Sequence, residues 1–146
     1  MKTAIVLAFG TMLAATAAHA DQEPDMIENM VAMQYFLHKL SLSVSAGNDG
    51  LADFYAHELE ETIEEAQTIS EYHGHPIGDL VTSMLVPAFD AFEDALDQGR
   101  HAELDDRLDQ VINSCNACHG ATGYEFIHIQ RNRHNPYMQS FEPHEK

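Results

Sequence analysis

Both cysteines of the chain fall in one short run, Cys115-Asn116-Ala117-Cys118-His119. On a helix, residues four apart share a face, so Cys115 and His119 would lie on the same side, with Cys118 on the same turn. Cys-x-x-Cys-His at this spacing is the attachment pattern of c-type haem. Two thiols on one turn can add to the two vinyl groups on one porphyrin edge. The next residue can then turn its imidazole onto the iron. The expected cofactor is one covalently attached haem c, with Cys115 and Cys118 as thioether residues and His119 as the proximal iron ligand.

The same residues admit other chemistries. A thioredoxin-like pair works best at a helix N-terminus, where the dipole lowers the thiol pKa. Here the pair closes a helix, and no βαβ pattern surrounds it. A zinc site would combine Cys115 and Cys118 with further ligands at finger-like spacing; the ten histidines supply donors without a compelling arrangement. A local disulfide would give His119 no part.

The elements that must position the motif are helical. Pro24 and Asp25 can open a first helix. Met26, Met30, Met33, Leu37, Leu40 and Val44 then mark one face of it, and "AGNDG" (46–50) stops it. A second helix starts at Leu51, with Tyr55, Leu59, Ile63, Ala66 and Ile69 on its apolar stripe and glutamates on its other faces. "HGHPIGD" (73–79) is a turn. The third helix carries Val81, Leu85, Phe89, Phe92 and Leu96, and Pro87 within it should kink or split it. The fourth begins near His101, places Leu104, Leu108, Val111, Ile112, Cys115 and His119 inward, and ends at Gly120 and Gly123. The motif therefore points into the core, where a flat apolar ring can be buried. The fold class expected is all-α: an antiparallel up-down-up-down four-helix bundle with a C-terminal extended tail. In that order the end of the fourth helix lies near the methionine-rich start of the first.

Residues 1–20 read as a secretory signal. Lys2 is followed by a short apolar run from Ala4 to Ala15 and a small-x-small site at Ala18-His19-Ala20. The run is too short for a convincing spanning helix. The expected organisation is a signal over 1–20, a haem domain over 21–123 and a tail over 124–146. An exported protein is expected, periplasmic if the source is Gram-negative, without membrane insertion. Asp and Glu number 24 against seven Lys and Arg, one of them Lys2 in the leader. Such a surface repels nucleic acid and anionic lipid, and would steer a basic partner surface.

The motif Cys115-Asn116-Ala117-Cys118-His119, at the end of the fourth helix of an exported bundle, resembles the class II c-type cytochromes, cytochrome c′ and its low-spin relatives. The likeness covers the architecture from about Pro24 to Gly120. It implies electron transfer with a redox partner protein, or binding of small gases such as nitric oxide, and it admits a homodimer. Two departures stand out. Family members usually end shortly after the motif, whereas this chain continues to Lys146. They often carry a basic residue in or just after the motif, where this chain has Asn116, Ala117 and Gly120. The tail is a candidate cover for the haem edge or a partner site.

The sixth iron position has several candidates. Met33 leads, on the inward face with Met30 and Met26, because a thioether is a haem ligand that raises the potential. Methionines at this spacing also serve as core filler. His38, on the adjacent stripe with Val31 and Tyr35, is the alternative, and a five-coordinate iron with an apolar distal face is another. His128 and His134 are more remote candidates. Arg107, Arg131 and Arg133 could meet the propionates or simply offset acidic surface. The leading expectation is an electron carrier with no catalysis of its own. Alternatives are a gas-binding haem protein, a peroxidase using His38 over an open distal site, or a binding module stapled by haem. A ferritin-like di-metal site is rejected, because the one Glu-x-x-His, Glu125 to His128, lies outside the bundle.

Overall fold

The computed structural model describes residues 25–144. The proposed leader over 1–20 and the helix-opening Pro24 lie outside the described residues. Among them there is no β-strand, only an isolated bridge between Tyr72 and His75. The protein is all-α.

Helix α1 spans Met26–Ser45. It starts where Asp25 accepts from the backbone N–H groups of Ile27 and Glu28 at 2.9 and 3.0 Å, satisfying two donors the first turn leaves open. Helix α2 spans Asp49–Gln67, two residues earlier than its apolar stripe suggests, because the Asn48 side chain caps it through Leu51 N–H. The third expected helix is present in three parts: α3 over Ile77–Leu80, a π turn over Val81–Leu85, and α4 over Val86–Asp97. Pro87 explains the division. It has no N–H to donate, and its ring crowds the carbonyl one turn back. The wider π turn just before it absorbs both deficits without ending the element. Helix α5 spans His101–Ala121 and carries the motif in its last two turns.

The periodicity places the core where expected. Met33, Leu37 and Leu40 of α1 are buried, and Met26, Met30 and Val44 pack half-buried beside them. Phe92, Leu40 and Leu108 are fully enclosed, each side chain contributing about 1.5–3 kcal/mol by burial. Truncating Phe92 to alanine would cost about 3–5 kcal/mol. The α2–α3 turn depends on Gly78. Its N–H donates to the Ile69 carbonyl at 2.8 Å, and a Cβ there would run into the Gln67 carbonyl oxygen.

Helix α1 packs chiefly on α2, and α4 on α5, while α1 meets α5 only thinly. Over the described residues after Ala121, 122–144, the chain runs without helix or strand and bonds along that weak seam. The Ile129 carbonyl accepts from Asn116 of α5, and the Asn132 carbonyl meets His38 of α1. Tyr137 meets His38, Gln139 accepts from Lys39 and Tyr55, and the Phe141 carbonyl accepts from Asn48. Phe141 is itself buried. Arg131 pairs with Asp105 and, at 2.6 Å, with Asp109 of α5. The segment is thus part of the folded unit rather than an appendage.

Candidate functional site

The motif enters on the inward stripe of α5, one turn beyond the buried Val111 and Ile112. Cys115 and Cys118 are free thiols, both half-buried. Burial, with the neighbouring Cys118 adding to it, pushes the Cys115 thiol up to about 11. Burial also raises Cys118. Both therefore stay protonated at neutral pH. That is the reverse of a disulfide-exchange pair, whose attacking thiol is acidified. The pair's place near a helix C-terminus works in the same direction.

The helix ends just past His119 in a Schellman turn. Gly123 takes φ 78°, the left-handed conformation that glycine adopts without a Cβ penalty. Tyr124 N–H then donates to the His119 carbonyl at 2.7 Å, and Gly123 N–H to the Gly120 carbonyl at 3.4 Å. This reversal sends the chain back over the motif. His119 Nδ1 lies 2.8 Å from the Ile127 carbonyl oxygen. A carbonyl can only accept, so Nδ1 carries a proton, and in the neutral ring Nε2 then has the lone pair. Two residues on, Asn116 grips Ile129. Its Oδ1 accepts from Ile129 N–H at 2.7 Å, and its Nδ2 donates to the Ile129 carbonyl at 2.9 Å.

A groove of about 340 Å³ lies beside this arrangement, between α1 and α5 and under residues 129–132. Val31, Tyr35, Leu37 and His38 line it from α1, and Ile112 from α5. Apolar surface is left open on the same side. Val31 is 62% exposed, and Ile27, one turn earlier, is 58% exposed. Phe126 and Ile127, next to His119, are also exposed. The groove and the motif meet through Ile129, which lines the groove and is held by Asn116 of the motif, and a flat, largely apolar group tethered at Cys115 and Cys118 would find apolar side chains on this side of α5. Among the described residues, no three His, Cys, Asp or Glu side chains converge as ready-made metal ligands, as a zinc cluster would require.

The two distal candidates take different places. Met33 is 8% exposed, in the core stripe with Leu37 and Leu40. His38 faces the groove, with Nδ1 3.0 Å from the Tyr137 hydroxyl and Nε2 3.0 Å from the Asn132 carbonyl. Of the arginines, Arg131 is held by Asp105 and Asp109, and Arg107 by Glu103. His128 and His134 are exposed in the C-terminal segment.

Sequence reasoning missed two features. One is the Asn116 fork, whose only signal was an amide side chain at a variable motif position. The other is Lys39. It is buried, donates to Tyr55 and Gln139, and lies 4.8–5.1 Å from the rings of Tyr35, Tyr55 and Tyr137. Burial pulls its pKa down, and the tyrosine hydroxyls more than offset that. A lysine among apolar residues gave no sign of the cage, because Tyr137 is about a hundred positions away.

No family model, no curated protein and no solved structure matches this chain.

Proposed function

We propose that this protein is an exported c-type cytochrome of the class II kind, an antiparallel up-down-up-down four-helix bundle with a C-terminal tail, that carries one covalent haem and transfers electrons. The observation that carries the reading is His119. Its Nδ1 is committed to the Ile127 carbonyl and its Nε2 left available, on the same helix turn as two reduced thiols. Cys115 and Cys118 would hold the group by thioethers, and His119 would be its proximal ligand. Haem supplies a one-electron iron centre when bound. The chain's own residues tether, orient and partly bury it. Short loops between helices that pack on each other support the up-down order. The acidic surface would steer a basic redox partner.

The experiment is direct. Protein made with the c-type haem maturation machinery should give an alkaline pyridine spectrum of a doubly thioether-linked haem. Cys115→Ala and Cys118→Ala should each shift it to the singly linked form, and the double variant should release haem to acidified organic solvent. Haem retained covalently in the double variant, or wild type without haem, refutes the proposal.

A second reading, small-gas binding at a five-coordinate iron, is favoured by one observation. Met33 belongs to the core stripe and both His38 nitrogens are occupied, so neither candidate is free to ligate without leaving its partners. If Met33 ligates, Met33→Ala should free the site and lower the potential. If His38 ligates, His38→Ala should open it. Immediate carbon monoxide binding by reduced wild type, with neither change altering the spectrum, selects the gas-binding reading.

A further inference from the structure

Resting on the haem reading above, we propose that Asn116 is a positioning residue for His119: its amide fork fixes the returning chain so that the Ile127 carbonyl sets the imidazole's tautomer, orientation and basicity. The geometry is reciprocal. Asn116 accepts from and donates to the same residue, Ile129, at 2.7 and 2.9 Å, as a neighbouring strand would. Asn116 and His119 are three apart on α5, a separation of about 5–6 Å between side chains. Ile127 and Ile129 are two apart on the returning segment, which spans about 6.6 Å if extended. Two helix side chains therefore match two alternate positions of the segment. Asn116 takes one and His119 takes the other.

The fork is needed because the segment has few other anchors near the imidazole. Upstream, Tyr124 is held by the helix-ending turn and by its hydroxyl, 2.8 Å from His73 Nδ1. Ile127 N–H donates back to the Tyr124 carbonyl at 2.8 Å, so this stretch is one tight turn. Downstream, Asn116 is the next grip. Ile127 is 45% exposed, so without the fork water competes for its carbonyl. The thioethers cannot replace this control, since they tether a ring edge and leave the imidazole free to rotate about its own bonds. A firm acceptor on Nδ1–H makes Nε2 a stronger donor to a metal, which favours the oxidised state.

The test uses the full-length holoprotein. Asn116→Leu keeps the size and removes the fork, and Asn116→Ser is a second neutral variant should leucine disturb folding. Either should keep covalent haem by the pyridine spectrum. Either should shift the ferric-to-ferrous ratio at fixed ambient potential about tenfold toward ferrous, which is about 59 mV upward for one electron. The iron–imidazole stretch after carbon monoxide photolysis should fall. Asn113→Leu, exposed on the same helix, should change neither reading. Holoprotein variants at Asn116 with unchanged potential and stretch overturn this inference and leave the haem reading intact. Wild type that never acquires haem overturns the haem reading, and this inference with it.

Discussion

At the scale of single residues, placement sets chemistry as strongly as identity does. The Cys115 thiol is held protonated by burial, while the His119 ring is given one tautomer by a backbone carbonyl. Glu93 shows the same logic away from the motif. It lies half-buried on α4 beside a groove of about 540 Å³ shared with Asp53, His57 and Glu60 of α2 and with Asp97. Burial first, then the charges of Glu60, Asp90 and Asp97, raise its pKa to about 7, and His57 partly opposes them. The folded state therefore binds a proton that the unfolded chain has released over the window from about 4.5 to 7. Folding stability from this group falls as pH rises through that window. Glu93→Gln should accordingly stabilise the protein at pH 8 and have little effect at pH 4, read from urea unfolding at both values. Equal effects at the two values would show that Glu93 titrates normally.

At the scale of elements, the ends of helices matter more here than their middles. The Schellman turn at Gly123 starts the chain back toward His119, so one backbone conformation serves both as a helix stop and as part of the site. An alanine at φ 78° pays the left-handed penalty of about 1–2 kcal/mol. Gly123→Ala should lower unfolding free energy by that amount. Gly120→Ala, within α5 and with open space around its Cβ position, should raise it by about 0.5–1 kcal/mol. Opposite signs at two glycines three residues apart, measured by denaturant titration, would separate the turn from helix propensity. Like signs would contradict this assignment of the turn. The π turn before Pro87 is the other local solution. It lets a proline sit inside a core helix whose residues Phe89 and Phe92 remain buried.

At the scale of the whole molecule, the seam between α1 and α5 is the thin place in the packing, and the C-terminal segment is what bonds across it. Lys39, caged by Tyr35, Tyr55 and Tyr137 and bonded to Gln139, ties that segment to both α1 and α2. The apolar surface at Ile27, Val31 and Phe126 is still open. A group that covers it and binds only the folded chain adds stability by mass action or, if tethered, by burial. On the proposed haem reading, holoprotein should therefore melt cooperatively and well above protein made without haem, which is expected to be loosely packed or largely unfolded. A haem-free form with the same melting temperature and equally sharp transition would argue that haem is no part of the core.

Helix periodicity made the all-helical class, the buried stripe of α1 and the stop after Ala121 legible in the sequence, because each depends on neighbours within one or two turns. The motif was legible for the same reason, since Cys115, Cys118 and His119 need only a helix to lie together on one turn. The division of α3 from α4 was half legible: Pro87 announces a disruption, but the surrounding packing selects a π turn over a break. The grip of Asn116 on Ile129, the Ile127 carbonyl on His119, the cage about Lys39 and the occupation of both His38 nitrogens were not legible. Each joins positions brought together only when residues after Gly123 fold back along α5 and α1. Local spacing encodes which face a side chain takes. Only the tertiary fold decides which distant backbone atom it meets, because that depends on where a segment without periodicity of its own finds its hydrogen bonds.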